Sequence, residues 1–148
     1  MTPTLLVVDD DRDDQELLGE AFEELGFEGR LVFLDDGDQL IDYLNRKGDY
    51  ADPEANPAPA LVILDLNMPR LHGLAALAEL RSNPRFRRVP VIIMTTSWSE
   101  DDIARAYDLG ANSFIIKPVL YDELLETVRG LVTYWLRLAE LPPSNLDA

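Results

Sequence analysis

Four short apolar runs punctuate the chain: Leu5-Leu6-Val7-Val8, Leu61-Val62-Ile63-Leu64, Val91-Ile92-Ile93-Met94 and Phe114-Ile115-Ile116. Apolar residues at consecutive positions, without polar alternation, suit strands covered on both faces, as in a parallel sheet. Together with a weaker segment after Gly29 they predict five strands, over Thr4 to Val8, Arg30 to Asp35, Ala60 to Asp65, Val89 to Thr95 and Ser113 to Lys117. Helical spacing fills the intervals. A helix from Asp14 to Leu25 stops at Gly26, and others lie near Gln39 to Arg46 and Leu74 to Ser82. Ser99-Glu100-Asp101-Asp102 reads as a capping box that opens a helix ending at Leu109-Gly110, and a last helix spans Tyr121 to Leu138. Five β/α repeats predict a doubly wound α/β fold, a three-layer sandwich with a parallel sheet between helices.

Two segments depart from this rhythm. Residues 47–59 hold three prolines, a glycine and four charged residues without periodicity, and read as a long loop before the third strand. The last helix is apolar over a wider arc than one buried stripe needs, with Leu124, Val128, Leu131, Trp135 and Leu138 on one face and Leu125, Val132 and Leu136 beside it. A wide face predicts two contacts: one on the sheet, and one through Tyr134, Trp135 and Leu138 with a second copy of the chain, making a homodimer. Residues 1–141 are expected to form one domain and 142–148 a C-terminal tail, with no output domain after it.

At 148 residues the chain is one domain's worth, long enough to bury about 68–70% of its unfolded surface. It has no cysteine, which removes disulfides and thiolate metal sites, and its start carries neither a basic stretch nor a long apolar one. The expectation is a soluble cytoplasmic protein without a membrane span. With 13 basic against 28 acidic residues, the net charge of −15 repels phosphate backbones and argues against nucleic acid as a partner.

The acids matter most where strands end. Asp9 and Asp10 close the first strand, Asp65 the third, Thr95 the fourth and Lys117 the fifth. In a parallel sheet these ends share one rim, so the groups converge on one pocket. Carboxylates that crowd together repel one another unless protons or a cation neutralise them. Oxygen ligands, few in number and with room for waters and phosphate, fit Mg²⁺ better than a dedicated Ca²⁺ cage, and the loop after Asp65 offers a backbone carbonyl. A carboxylate in such a place can act as a nucleophile toward a phosphoryl group, with Asp65 the central candidate. Lys117 then supplies positive charge to one phosphoryl oxygen and the Thr95 hydroxyl a hydrogen bond to another.

These residues resemble the receiver domain of two-component response regulators over nearly the whole chain. The resemblance rests on Asp9-Asp10, on Asp65-Leu66-Asn67-Met68-Pro69-Arg70-Leu71-His72-Gly73, on Thr95 and on Lys117-Pro118, in that order and spacing. It implies a strand order 2-1-3-4-5 flanked by five helices. It also implies that Asp65 is the phosphoacceptor, that Asp9 and Asp10 are the Mg²⁺-side acids, and that the Asn67 backbone carbonyl completes the metal shell. Lys117-Pro118 would be a cis peptide, and Thr95 with Phe114 the switch pair. A phenylalanine at 114 has no hydroxyl to fix an outward ring, and Thr96 stands where a smaller residue is common, restricting access to the phosphoryl group. The loop at 47–59 and the ending Tyr134-Trp135-Leu136-Arg137-Leu138 to Pro143 are similar to those of stand-alone regulators paired with bacterial and cyanobacterial phytochrome histidine kinases. The resemblance thus implies a sensor kinase as phosphodonor, homodimers, and output through protein contacts.

Competing readings are weaker. A phosphatase of the haloacid-dehalogenase type wants a second Asp two residues after the nucleophile, where this chain has Asn67, which cannot deliver a proton. A phosphorylation-independent interaction module would have lost pocket residues, and none is lost. A dinucleotide-binding domain needs a Gly-rich loop after the first strand, where Asp9-Asp10-Asp11 would repel pyrophosphate. His72, the only histidine, reads as a solvated loop residue rather than a phosphotransfer group, and Gly73 as a backbone requirement.

Overall fold

A computed structural model describes residues 2–144 and 146–147. Its parallel sheet has the order β2-β1-β3-β4-β5, with β1 at Thr4–Val8, β2 at Arg30–Leu34, β3 at Leu61–Leu64, β4 at Val91–Thr95 and β5 at Ser113–Ile116. Five α-helices alternate with them: α1 Arg12–Glu24, α2 Gly37–Leu44, α3 Gly73–Ser82, α4 Glu100–Asp108 and α5 Tyr121–Thr133. A π-helical stretch, Tyr134–Leu138, continues α5, and a short 3-10 turn at Gly48–Tyr50 lies in the long loop. The three-layer fold and strand order expected from sequence are those observed.

Consecutive apolar residues face opposite layers, as both-face burial requires. Leu6, Val8, Val62 and Leu64 join one core with α2 and α3, while Leu5, Val7, Leu61 and Ile63 join another with α1 and α5. The edge strands β2 and β5 are only partly covered. Helix ends follow local chemistry. Asp11 caps α1, its carboxylate accepting from the N–H groups of Asp13 and Asp14, and Asp36 caps α2 through the Gln39 N–H. Gly26 and Gly110 take left-handed conformations (φ 71° and 102°) just past α1 and α4, where a Cβ would be strained. Ser99 caps α4 through the Asp102 N–H, but the Asp102 carboxylate accepts from the Ser97 hydroxyl at 2.6 Å instead of closing the reciprocal half of the box.

Leu146, near the end of the chain, belongs to the core. Pro142, Pro143 and Ser144 line one small cavity with Pro59, Pro90 and Arg88 at the N-terminal ends of β3 and β4. Leu146 then buries to 2% exposure in the α2/α3 core. Arg46, left-handed at φ 59° after α2, pairs with Asp147 at 2.7 Å and donates to the Asn56 carbonyl, while Arg85 donates to the Leu146 carbonyl at 2.8 Å. The loop at 47–59 is likewise anchored, its Pro57 carbonyl accepting from the buried Tyr43 hydroxyl at 2.7 Å. Among the described residues no helix is long and apolar enough to cross a membrane.

Candidate functional site

Three backbone hydrogen bonds bring the strand ends together. Asp9 N–H donates to Leu34 O at 3.0 Å, Asp65 N–H to Val8 O at 2.9 Å and Lys117 N–H to Thr95 O at 2.7 Å. The site lies where the chain's winding reverses, between β1 and β3, the place at which open α/β sheets leave a crevice. Asp9, Asp10 and Asp65 each offer a carboxylate oxygen, and these oxygens all lie within 4.8 Å of one another. Asp9 and Asp65 are buried and Asp10 is exposed, so the trio has a dry floor and a wet mouth. Carboxylates alone, partly open to water, are a donor set for a hard divalent cation.

The close approach behind Asp65 depends on Gly73. A Cβ there would lie 2.2 Å from the Asp65 carbonyl oxygen and 2.8 Å from Leu66 Cα, so only glycine lets α3 begin against the end of β3. The Gly73 N–H donates to Leu66 O at 2.9 Å. Its backbone role is therefore as the sequence predicts. His72 does more than face solvent: its Nδ1 accepts from the Leu74 N–H at 3.2 Å and caps α3.

Lys117 reaches across the pocket. Its Nζ lies 2.7 Å from Asp9 Oδ2, 2.8 Å from Asp14 Oδ2 and 3.5 Å from Asp65 Oδ2. Burial pushes the Asp9 carboxyl up to about 6, against the lowering pull of Lys117 and of the Asp11 N–H, with the charge of Asp65 adding to the rise. Burial pulls the other way on Lys117, but hydrogen bonds to Asp14 and Asp9 and the charge of Asp65 outweigh it and raise the ammonium above its usual range. One cation thus faces three carboxylates, with Asp10 beside them in the trio, and the excess of negative charge favours a second.

The Lys117–Pro118 peptide is not cis: no described peptide bond is. This corrects the sequence expectation. The trans preference of an X-Pro bond is about 0.5–1 kcal/mol, and Lys117 already makes its contacts with Asp9 and Asp14 from the trans form, so the observed contacts do not require the cis one. Thr95 is fully buried, its hydroxyl accepting a long bond of 3.5 Å from the Ser97 N–H. Phe114 is half-buried against the α2/α3 core, and its N–H donates to the Tyr107 hydroxyl of α4 at 3.1 Å. Asn67 and Thr96 are exposed and line one groove with Trp98. At the other end of the molecule Tyr134 and Leu138 are 55% and 72% exposed, whereas Trp135 packs on the α1/α5 core.

Sequence reasoning missed Asp14 and Gln15. The amide of buried Gln15 donates to the Asp9 carbonyl at 2.6 Å and to Asp35 Oδ1 at 3.2 Å, fixing the end of β1. A polar residue on the buried stripe of α1 was the available signal. Asp14 gave none, since an acid in a first helical turn is ordinary.

A sheet of order 2-1-3-4-5 with an acidic trio, a lysine and a threonine at its carboxyl rim defines a receiver domain. Residues 5–129 match the family model described as the response regulator receiver domain, and the chain belongs to that family. It is a signalling protein by that membership. The response regulator Rcp1 of Synechocystis is 35% identical over 138 residues, 93% of this chain and 92% of Rcp1. A solved structure of Rcp1 described as its Mn²⁺-bound form aligns with a TM-score of 0.85, at 34% identity, over 95% of this chain and 99% of the other. Response regulator RPA3017, described as acting in red light signaling of R. palustris, gives a TM-score of 0.91 at 37% identity, over 96% of this chain and 99% of its own. The phosphorylated cyanobacterial phytochrome response regulator RcpA gives 0.88 at 35% identity, covering 97% of this chain and all of the other (100%).

Proposed function

We propose that Asp65 accepts a phosphoryl group from a phytochrome-type sensor histidine kinase and that the chain passes the signal on through protein contacts. The observation that carries this reading is the meeting of Asp9, Asp10 and Asp65 within 4.8 Å, beneath a lysine 3.5 Å from Asp65 Oδ2. Among the described residues Asp65 Oδ2 accepts no hydrogen bond, while Oδ1 is held by the Leu66 N–H at 2.8 Å, so one carboxylate oxygen is oriented and the other is available. An Asp65 oxygen attacks phosphorus, the new O–P bond forms, and the N–P bond of the donor's phosphohistidine breaks with its electron pair returning to the imidazole. Asp9, Asp10, Asp65 and the Asn67 carbonyl would hold Mg²⁺, which would supply the positive charge that lets an anion approach these acids. Lys117 and Thr95 receive two of the phosphoryl oxygens. The likeness to RcpA, RPA3017 and Rcp1 supports the phytochrome pathway.

Incubation with Mg²⁺ and a small acyl phosphate adds one phosphoryl group to the intact mass, and Asp65→Asn abolishes it. Uptake retained in Asp65→Asn overturns the assignment. Transfer profiling against purified kinases, a phytochrome kinase among them, tests the pathway. Phosphorylation draws Thr95 toward the phosphoryl group and lets the Phe114 ring turn into the vacated space, which changes the α4–β5 surface. For homodimers, exposed Tyr134 and Leu138 support a contact at the end of α5. Leu138→Glu then lowers the mass seen by light scattering, and it is a cleaner probe than Trp135, which also packs on its own core.

A further inference from the structure

The carboxylate of Asp14 takes a place in the site that the phosphoacceptor chemistry does not explain. It is not among the three acids that can share a metal ion, yet it holds Lys117 at 2.8 Å. Its backbone is fixed as well, since the Asp14 N–H donates to the Asp11 cap at 3.1 Å. An ammonium has three N–H donors. Two are engaged, by Asp9 at 2.7 Å and by Asp14, and the separation of 3.5 Å from Asp65 Oδ2 is too long for a good bond. Among the described residues the third donor has no partner as close, and Asp65 Oδ2, where a phosphoryl group would be added, is the next carboxylate oxygen to it.

The two anchors are not equivalent. Asp9 belongs to the acidic trio, so a divalent cation there draws on the same carboxylate that holds the lysine. Asp14 stands on α1, outside the trio, and its bond to Lys117 is unaffected by such competition. We propose that Asp14 is a positioning residue that keeps Lys117 aimed at Asp65 when a metal ion claims Asp9. The proposal rests on the reading of Asp65 as phosphoacceptor, and it assigns Asp14 no contact with the phosphoryl group. The side chain of Asp14 is about a third exposed (35%), so Asp14→Asn, nearly isosteric, leaves the fold in place.

Two measurements test it on the full chain. In the first, the Lys117 ammonium is followed by ¹H–¹⁵N NMR with saturating Mg²⁺. The wild type and Asp14→Glu keep a slowly exchanging signal, and Asp14→Asn loses it. A protected signal that persists in Asp14→Asn overturns the proposal. In the second, phosphoryl uptake from a small acyl phosphate falls about tenfold in Asp14→Asn, the loss of about 1.4 kcal/mol of oriented contact, and Asp14→Glu recovers most of it. An unchanged rate in Asp14→Asn also overturns the proposal. Failure of the Asp65 reading is separate, because it shows as uptake in Asp65→Asn, and the ammonium signal does not depend on that outcome.

Discussion

The two ends of the same sheet solve opposite problems. At the carboxyl rim the strands stop in Asp9, Asp65, Thr95 and Lys117, and the acids stay close together and partly open to water. At the amino rim the chain closes the sheet with Pro90, Pro142 and Pro143, then buries Leu146 and ties Asp147 to Arg46. One end keeps unrelieved charge, and the other satisfies its groups internally. The difference teaches where free energy is held in reserve: a site that must accept an anion and a cation is left short of both, on a scaffold whose opposite end is sealed.

The strongest way to break the comparison is to spoil the carboxyl rim through its backbone. Gly73→Val places side-chain atoms against the Asp65 carbonyl, where even a Cβ would sit at 2.2 Å. Backbone cannot yield as a flexible side chain does, so the expected loss is more than about 3 kcal/mol, beyond the usual range for overpacking. Urea denaturation measures it, and a loss within about 1 kcal/mol would mean that α3 shifts freely against β3.

Metal addition sharpens the comparison from the other side. The folded Asp9 carboxyl titrates near 6 against 3.8 for the free group. Between those values the folded state binds more protons than the unfolded state, so in metal-free protein this contribution to stability falls as pH rises from about 4 to about 6. A divalent cation reverses the trend, because it needs the ionised carboxylate. At neutral pH, Mg²⁺ or Mn²⁺ at about a hundred times its dissociation constant adds about 2.7 kcal/mol and raises Tm by about 5–10 °C. At pH about 5 the same concentration gives a much smaller shift, as protons compete for Asp9. An equal shift at both values in thermal melts would remove Asp9 from the metal shell.

Legibility from sequence followed the range of the interactions involved. The strands were plain because burial on both faces demands runs such as Leu61-Val62-Ile63-Leu64, and the ends of α1 and α4 because Gly26 and Gly110 are the residues that left-handed turns favour. Arg46 adopts a similar conformation after α2 without a glycine's signal, since distant partners, the Asn56 carbonyl and Asp147, hold its side chain. Asp9, Asp10, Asp65 and Lys117 could be placed together because strand order fixes their neighbourhood. Asp14 could not, because its bond to Lys117 spans 103 positions and depends on how α1 is seated. The trans form of Lys117–Pro118 was out of reach for the same reason, a small local preference decided by surrounding contacts.

The amino rim offers the smallest and most selective test. Leu146 looks like a tail residue in sequence, after two prolines and a serine, yet its side chain lies with Phe86, Leu44 and Leu80 in the α2/α3 core. Leu146→Ala removes a buried side chain, for which about 2–5 kcal/mol is typical. The lower end, about 2 kcal/mol, is expected here because a terminal segment can peel away and let the site collapse or hydrate. Arg46 and Arg85 would then lose the geometry of their bonds to Asp147 and Leu146, so the loss appears as earlier protease cleavage at the tail as well as a lower urea midpoint. Phosphoryl uptake at Asp65 should be unchanged, because no hydrogen bond described for Asp9, Asp14 or Lys117 reaches the tail. If uptake falls in step with stability, the two ends of the sheet are coupled and the division of labour between them fails.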